Sequence, residues 1–187
     1  MQIDREEIVQ MTEEHGGDWG INHVRRVLEL IEMVGEEIEY DKDVIWVATH
    51  LHDWGAYKHW AQEGVDHAER SAQVAAAFLT ARDYPEDFKA RVLECIACHH
   101  QCDAGNSIEA QLLFDADALD FFGPVGVLRI FSKSFKNLAA ALKKSKMKRE
   151  TLPPQLLLEK TRELAAPRLA EMDALFASFE RDTFGHF

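Results

Sequence analysis

A chain of 187 residues is long enough to bury one sizeable core and short for two. Hydrophobic residues make up 47% and charged residues 29%, the balance of a globular protein rather than a disordered one. The net charge of −12 argues against a general binder of nucleic-acid polymers or membrane surfaces. No apolar run approaches the roughly 20 residues needed to cross a bilayer, and the acidic N-terminus MQIDREEIVQMTEEH lacks the basic-then-apolar layout of a signal peptide. The expected location is therefore the cytoplasm. Three clustered cysteines, Cys95, Cys98 and Cys102, do not form a disulfide framework in such a chain.

No stretch of period 2 is long enough to read as a strand, whereas helical periodicity is frequent. Ile21, Val24, Leu28, Ile31 and Ile38 recur at helical spacing and predict an amphipathic helix over about 20–39. Asp41 suits the cap of a second helix through VIWVATHLHDW, apolar nearly all round and therefore buried, with Gly55 as its stop. A third helix starts near Asp66 and runs through SAQVAAAFLTA. Tyr84-Pro85 ends it, and Pro85 opens a fourth to about 101. CDAGNS is a turn, and a fifth helix covers about 107–121 until Gly123-Pro124. A sixth is expected over about 125–147. Pro153-Pro154 then opens a long C-terminal helix, kinked near Pro167. The predicted fold is an all-α, single-domain bundle of about six to eight helices over 1–187.

The informative residues are acids and histidines on helices that look buried. Asp53 follows His52 on one of them, and Asp117 lies within LLFDADALDFF on another. An unpaired buried carboxylate costs several kcal/mol or more, so each needs a hydrogen bond, an ion pair or a metal. His23 sits at the edge of the first apolar stripe. His67 shares a face with Ser71, Val74 and Phe78, and His99 with Val92 and Ile96. Histidines from four helices thus point inward, and metal is the economical explanation. Such a nitrogen and oxygen set suits Mn²⁺, Fe²⁺, Co²⁺, Ni²⁺ or Zn²⁺ better than soft ions.

The ordered set His23, His52-Asp53 and Asp117, with His23-x-x-Arg26-Val27, HAERSA at 67–72, Ile96-x-x-His99, Glu109 and DADALD at 115–120, resembles the HD-domain superfamily of metal-dependent phosphohydrolases. The resemblance covers about 18–135 and leaves a helical extension at about 150–187. It implies that His23, His52, Asp53 and Asp117 hold a divalent ion (Mn, Fe, Ni, Co, Zn or Mg). It also implies that a metal-bound hydroxide cleaves a phosphate ester of a small molecule, a nucleotide among the candidates. Asp117 fits the family's last ligand better than Asp115. Some relatives bind a second ion, and His67, His99 and His100 stand where its ligands, or phosphate contacts, would be. Two alternatives stay open: a diiron oxygenase of the same fold, and a non-catalytic metal-binding signalling module. The Gly-Tyr-Pro signature of the cyclic-dinucleotide branch is absent; WGAYKHW follows the pair instead.

Arg26, Arg129 and Lys133 are candidate substrate or phosphate contacts; Arg129, Lys133 and Lys136 are spaced to share one helix side. The run Lys143 to Arg149 reads as a solvated face, Glu109 as the anchor of a loop or helix end, and His50 as structural. Trp54, Tyr57 and Trp60 either line the pocket entrance or cap the core. Cys95-x-x-Cys98-His99-His100-x-Cys102 reads as buried thiols, because four ligands on one helix cannot surround a tetrahedral ion. The expected partner is a small phosphorylated substrate, with no nucleic-acid polymer and no membrane; a homodimer is compatible with the chain.

Overall fold

The computed structural model describes residues 3–134 and 136–186, so positions 1, 2, 135 and 187 lie outside it. Eight α-helices and two short 3-10 turns occur among the described residues, with no strand. Two compact units divide the chain, Met1–Ala116 and Asp117–Phe187. No helix among the described residues is long and apolar enough to cross a membrane.

In the first unit, α1 (Arg5–Val34) begins earlier than its apolar stripe predicts. Asp4 caps it by accepting from the Glu7 amide at 3.0 Å. Two helical pieces meet at Gly17, whose φ of 60° and ψ of −167° belong to a region that only glycine occupies readily. The helix stops at Val34, where the Gly35 amide bonds the Ile31 carbonyl, so Ile38 lies beyond it. Its buried face includes Ile21, His23, Val24, Val27 and Ile31. Asp41 caps α2 (Lys42–Leu51) through the amides of Asp43 and Val44, as its sequence position predicts. Seven of the ten α2 residues are buried, which matches an apolar run with no polar stripe.

A 3-10 turn at Trp54–Ala56 packs on α3 (His67–Thr80), which Asp66 caps. Gly55 allows that approach. A Cβ at 55 would stand 2.4 Å from the Ser71 amide nitrogen and 2.5 Å from the His67 carbonyl oxygen. Neither atom can yield, because the Ser71 hydroxyl already accepts the Gly55 amide at 2.8 Å. Gly55→Ala is therefore expected to destabilise by ~1–3 kcal/mol, typical of overpacking against a fixed backbone. A thermal melt beside wild type checks it. The helix α4 (Glu86–Cys98) follows, with α2 and α3 both packed on it, and α5 (Ile108–Asp120) begins in this unit and ends in the second.

The second unit holds α6 (Gly123–Lys133), α7 (Leu138–Thr151) and α8 (Glu159–Asp182), which pack on one another. The single helix expected over about 125–147 is two. Ser134 leaves helical geometry at φ −125°, ψ 34°, and the Asn137 side chain restarts the chain by accepting from the Ala140 amide. Lys136 consequently falls in the break and does not share a helix side with Arg129 and Lys133. Pro153 and Pro154 form a 3-10 turn, and α8 begins only at Glu159. Pro167 is accommodated inside α8.

Candidate metal centre

The His-Asp pair does not lie within a helix. α2 ends at Leu51; His52 is its C-terminal cap, and Asp53 departs to φ −105°, ψ 3°. Within a regular helix, neighbouring side chains diverge by about 100°. This bend instead brings His52 Nε2 to 3.8 Å from Asp53 Oδ2. α1 supplies His23, whose Nε2 lies 3.2 Å from His52 Nε2 and 3.7 Å from Asp53 Oδ2. His67, the first residue of α3, places Nε2 3.7 Å from the other carboxylate oxygen, Oδ1. His99 caps α4, and its ring stands 5.2 Å from that of His52 and 5.6 Å from that of His67. The His100 ring is 4.2 Å from both His67 and His99.

Two sets of ligand atoms result, His23/His52/Asp53 and His67/His99/His100, each with its atoms within 4.8 Å of one another. His23, His52 and His99 are buried, while the His67 side chain is 38% exposed and forms the open edge. Backbone carbonyls orient two of the rings. His52 Nδ1 donates to the Thr49 carbonyl at 2.7 Å, and His99 Nδ1 donates to that of Ile96 at 2.6 Å. A carbonyl can only accept, so in the neutral rings both Nε2 atoms keep a lone pair for a metal. The 3.2 Å between His23 and His52 nitrogens also suits shared coordination. Two imidazole nitrogens roughly 2.1 Å from one ion at ordinary ligand angles stand ~3.0–3.4 Å apart. The donor set therefore fits one divalent ion at His23/His52/Asp53 and a second beside it.

The remaining candidates divide. Arg26 is half-buried on α1, one turn beyond His23. Asp117 lies on α5 at 8% exposure and Asp115 at 0%. In the second unit the Arg129 guanidinium donates to Asp120, and Lys133 is exposed at the end of α6. Glu109 acts as an anchor, accepting from the Asp41 amide at 2.7 Å and from Arg91 at 3.1 Å. His50 is structural: it donates to the Trp46 carbonyl at 2.8 Å, and burial lowers its pKa to about 4. Burial raises the pKa of all three thiols, that of Cys102 to about 12, which agrees with inert cysteines rather than reactive ones.

Two further residues are placed by the structure: Tyr57, read from the sequence as lining a pocket entrance or capping the core, and Lys148 in the second unit. Tyr57 is 5% exposed, and its ring fills a notch opened by Gly16 and Gly20, one turn before His23. Its hydroxyl has no hydrogen-bond partner among the described residues, and burial together with the Asp53 charge raises its pKa. Lys148, inside the stretch read as a solvated face, is half-buried with Nζ 4.4 Å from the centre of the Phe121 ring. Burial lowers its pKa, with the Asp117 charge acting in the opposite direction. Helical periodicity gives no signal for either, since both depend on residues distant in sequence.

Comparison with known proteins gives the same placement. No protein of curated function matches the sequence. Among solved structures, a predicted HD superfamily hydrolase from an uncultured Thermotogales bacterium is 26% identical, with a TM-score of 0.69 over 95% of this chain and 92% of that one. Bacillus subtilis YpgQ, solved in complex with ADP, is 21% identical, with a TM-score of 0.72 over 95% and 93%. An HD-superfamily hydrolase from Bacillus thuringiensis is 20% identical, with a TM-score of 0.70 over 97% of each chain. The sequence model of the HD domain matches residues 20–121, more than half of the chain and inclusive of both ligand sets, and the protein belongs to the HD-domain family.

Proposed function

We propose that this protein is a metal-dependent phosphohydrolase that cleaves a phosphate ester of a small molecule, with nucleotides the first class to test. The observation that carries this reading is Asp53, whose two oxygens face different histidine sets, Oδ2 toward His23 and His52 and Oδ1 toward His67. One carboxylate between two groups of imidazoles suits a pair of cations better than a row of separately satisfied core histidines. A bound divalent ion would supply Lewis-acid stabilisation of phosphoryl oxygens and lower the pKa of its water. The chain's own residues hold and orient: the Thr49 and Ile96 carbonyls fix the His52 and His99 tautomers, and His67 at the open edge meets an entering ligand. Asp117 is proposed as a further ligand, and Arg26, Arg129 and Lys133 as phosphate contacts, on the family resemblance. The ADP complex of Bacillus subtilis YpgQ, a protein of the same fold, makes nucleotides a reasonable substrate class.

The three-histidine set also gives weight to a diiron oxygenase, since six ligands suffice for two irons. Protein purified without chelator is expected to carry one or two transition-metal ions per chain. It should release phosphate from a panel of nucleotides with Mn²⁺, and lose that activity with EDTA. Two irons with oxygen uptake and no phosphate release would replace hydrolysis with the oxygenase reading. A folded chain that takes up no Mn²⁺, Fe²⁺ or Ni²⁺ would exclude both.

A further inference from the structure

The first unit contains a cavity of about 300 Å³ that includes none of the candidate metal ligands. Trp60, Phe78 and Met11 line one part of it, and Arg70, Gln73 and Arg82 another. The apolar part is built of packed rings. Trp60 stacks on buried Trp54 with ring centres 4.7 Å apart at an angle of 10°, and Phe78 meets Trp54 edge-on at 5.1 Å.

The two arginines are not equivalent. The Arg82 guanidinium lies 3.7 Å above the Phe78 ring, and its Nε and Nη2 both donate to Glu7, so its charge is neutralised. Arg70 Nε donates to the Trp60 carbonyl at 2.7 Å, and Nη1 to Gln73 Oε1 at 3.0 Å. Both acceptors are neutral. Nη2 has no acceptor, and no carboxylate pairs with Arg70 among the described residues. In a chain with 33 acids against 21 lysines and arginines, a pinned guanidinium without an acid partner stands out. Its two neutral hydrogen bonds hold it in place while leaving its charge and a donor edge for an incoming group, so little side-chain freedom is lost on binding.

We propose that this cavity binds a small aromatic anion, with the ring among Trp60, Phe78 and Met11 and the anionic oxygens on Arg70. The size agrees: a cavity of roughly 150 Å³ takes one benzene ring, so about 300 Å³ accommodates a ring bearing an acidic group, or two fused rings. The aromatic lining favours a planar ligand over an aliphatic acid, and Arg70 favours an anion over a neutral ring.

Saturation-transfer NMR on the full-length, metal-loaded protein tests this, with benzoate and phenylphosphonate as probes and benzyl alcohol and acetate as controls. At least one of the two aromatic anions is expected to bind, and the one that binds identifies the anionic group as carboxylate or phosphoryl. Removal of a charge-assisted hydrogen bond should weaken binding by about tenfold or more in Arg70→Met, and benzyl alcohol should bind wild type more weakly by a similar factor. Acetate should not displace the aromatic probe, as it would from a metal ion. Gln73→Glu gives an independent variant: position 73 is exposed, so the fold is not at stake, and the new carboxylate should neutralise Arg70 and abolish binding. Both variants keep wild-type metal content if the two sites are separate. Absence of saturation by both aromatic anions, or binding unchanged in Arg70→Met and Gln73→Glu, would overturn the proposal and leave the phosphohydrolase reading unaffected.

Discussion

Asp53→Ala is expected to deplete both ions, whereas His100→Ala depletes one. The difference follows from the carboxylate's position. Oδ2 lies 3.7 Å from His23 Nε2 and 3.8 Å from His52 Nε2, while Oδ1 lies 3.7 Å from His67 Nε2. His100 belongs only to the set with His67 and His99. Asp53 is also the only anion in either set, so its loss removes the one carboxylate that faces both groups of imidazoles. If the ions supply several kcal/mol of transition-state stabilisation, phosphate release in Asp53→Ala should fall by ~10³-fold or more. Metal quantitation by mass spectrometry reads the effect directly, with circular dichroism to confirm the fold. Asp53→Asn should behave similarly, because an amide keeps the shape and removes the charge. Wild-type metal content in both Asp53 variants would show that this carboxylate does not bridge the two sets.

Trp54→Ala should produce the largest loss of stability. Trp54 is 0% exposed, stacks on Trp60 and meets Phe78 edge-on. Its indole N–H donates to the Thr12 hydroxyl at 3.1 Å, and that hydroxyl donates onward to the Ile8 carbonyl at 2.8 Å. Truncation removes a large buried surface and leaves a cavity, a change that costs ~3–5 kcal/mol for buried aromatics. For a chain of this size the melting temperature should drop by roughly 6–20 °C. Trp54→Phe keeps an aromatic ring but leaves the Thr12 oxygen without its donor, so an intermediate loss is expected. Because Trp54 directly follows Asp53, the same melts run with and without Mn²⁺ report coupling: stabilisation by the ion should be smaller in Trp54→Ala. A melting temperature within 2 °C of wild type, estimated from the same scaling, would mean that the site collapses around the smaller side chain.

The features legible in the sequence share a physical basis in local interactions. Asp41 and Asp66 cap helices through amides no more than three residues away, so the cap and the helix it starts lie in one short window. Apolar periodicity on α2 and α5 reports burial because a helix buried on all sides tolerates few polar residues. The structure departs from the sequence pattern where local signals are weak. The apolar stripe predicts a helix over about 20–39 and carries no sign of the earlier piece of α1, which Gly17, in a conformation that suits glycine, joins to the rest. Ser134 carries no strong stop signal, and it nevertheless ends α6 and removes Lys136 from the expected basic face.

By itself the sequence determined an all-helical chain, the helices that bear the inward histidines and acids, and the ordered His, His-Asp, Asp pattern of its family. Those properties depend on residue type, spacing and short-range hydrogen bonds. Only the tertiary structure decided that the His-Asp pair occupies a helix end, that Asp53 turns one oxygen to each histidine set, and that the His100 ring lies 4.2 Å from those of His67 and His99. It also decided that Arg70 is pinned by Trp60, ten residues earlier, without an acid beside it. Each of these is a convergence of side chains from elements far apart along the chain, and the directions in which those side chains point are set by helix ends, turns and packing that no local window contains.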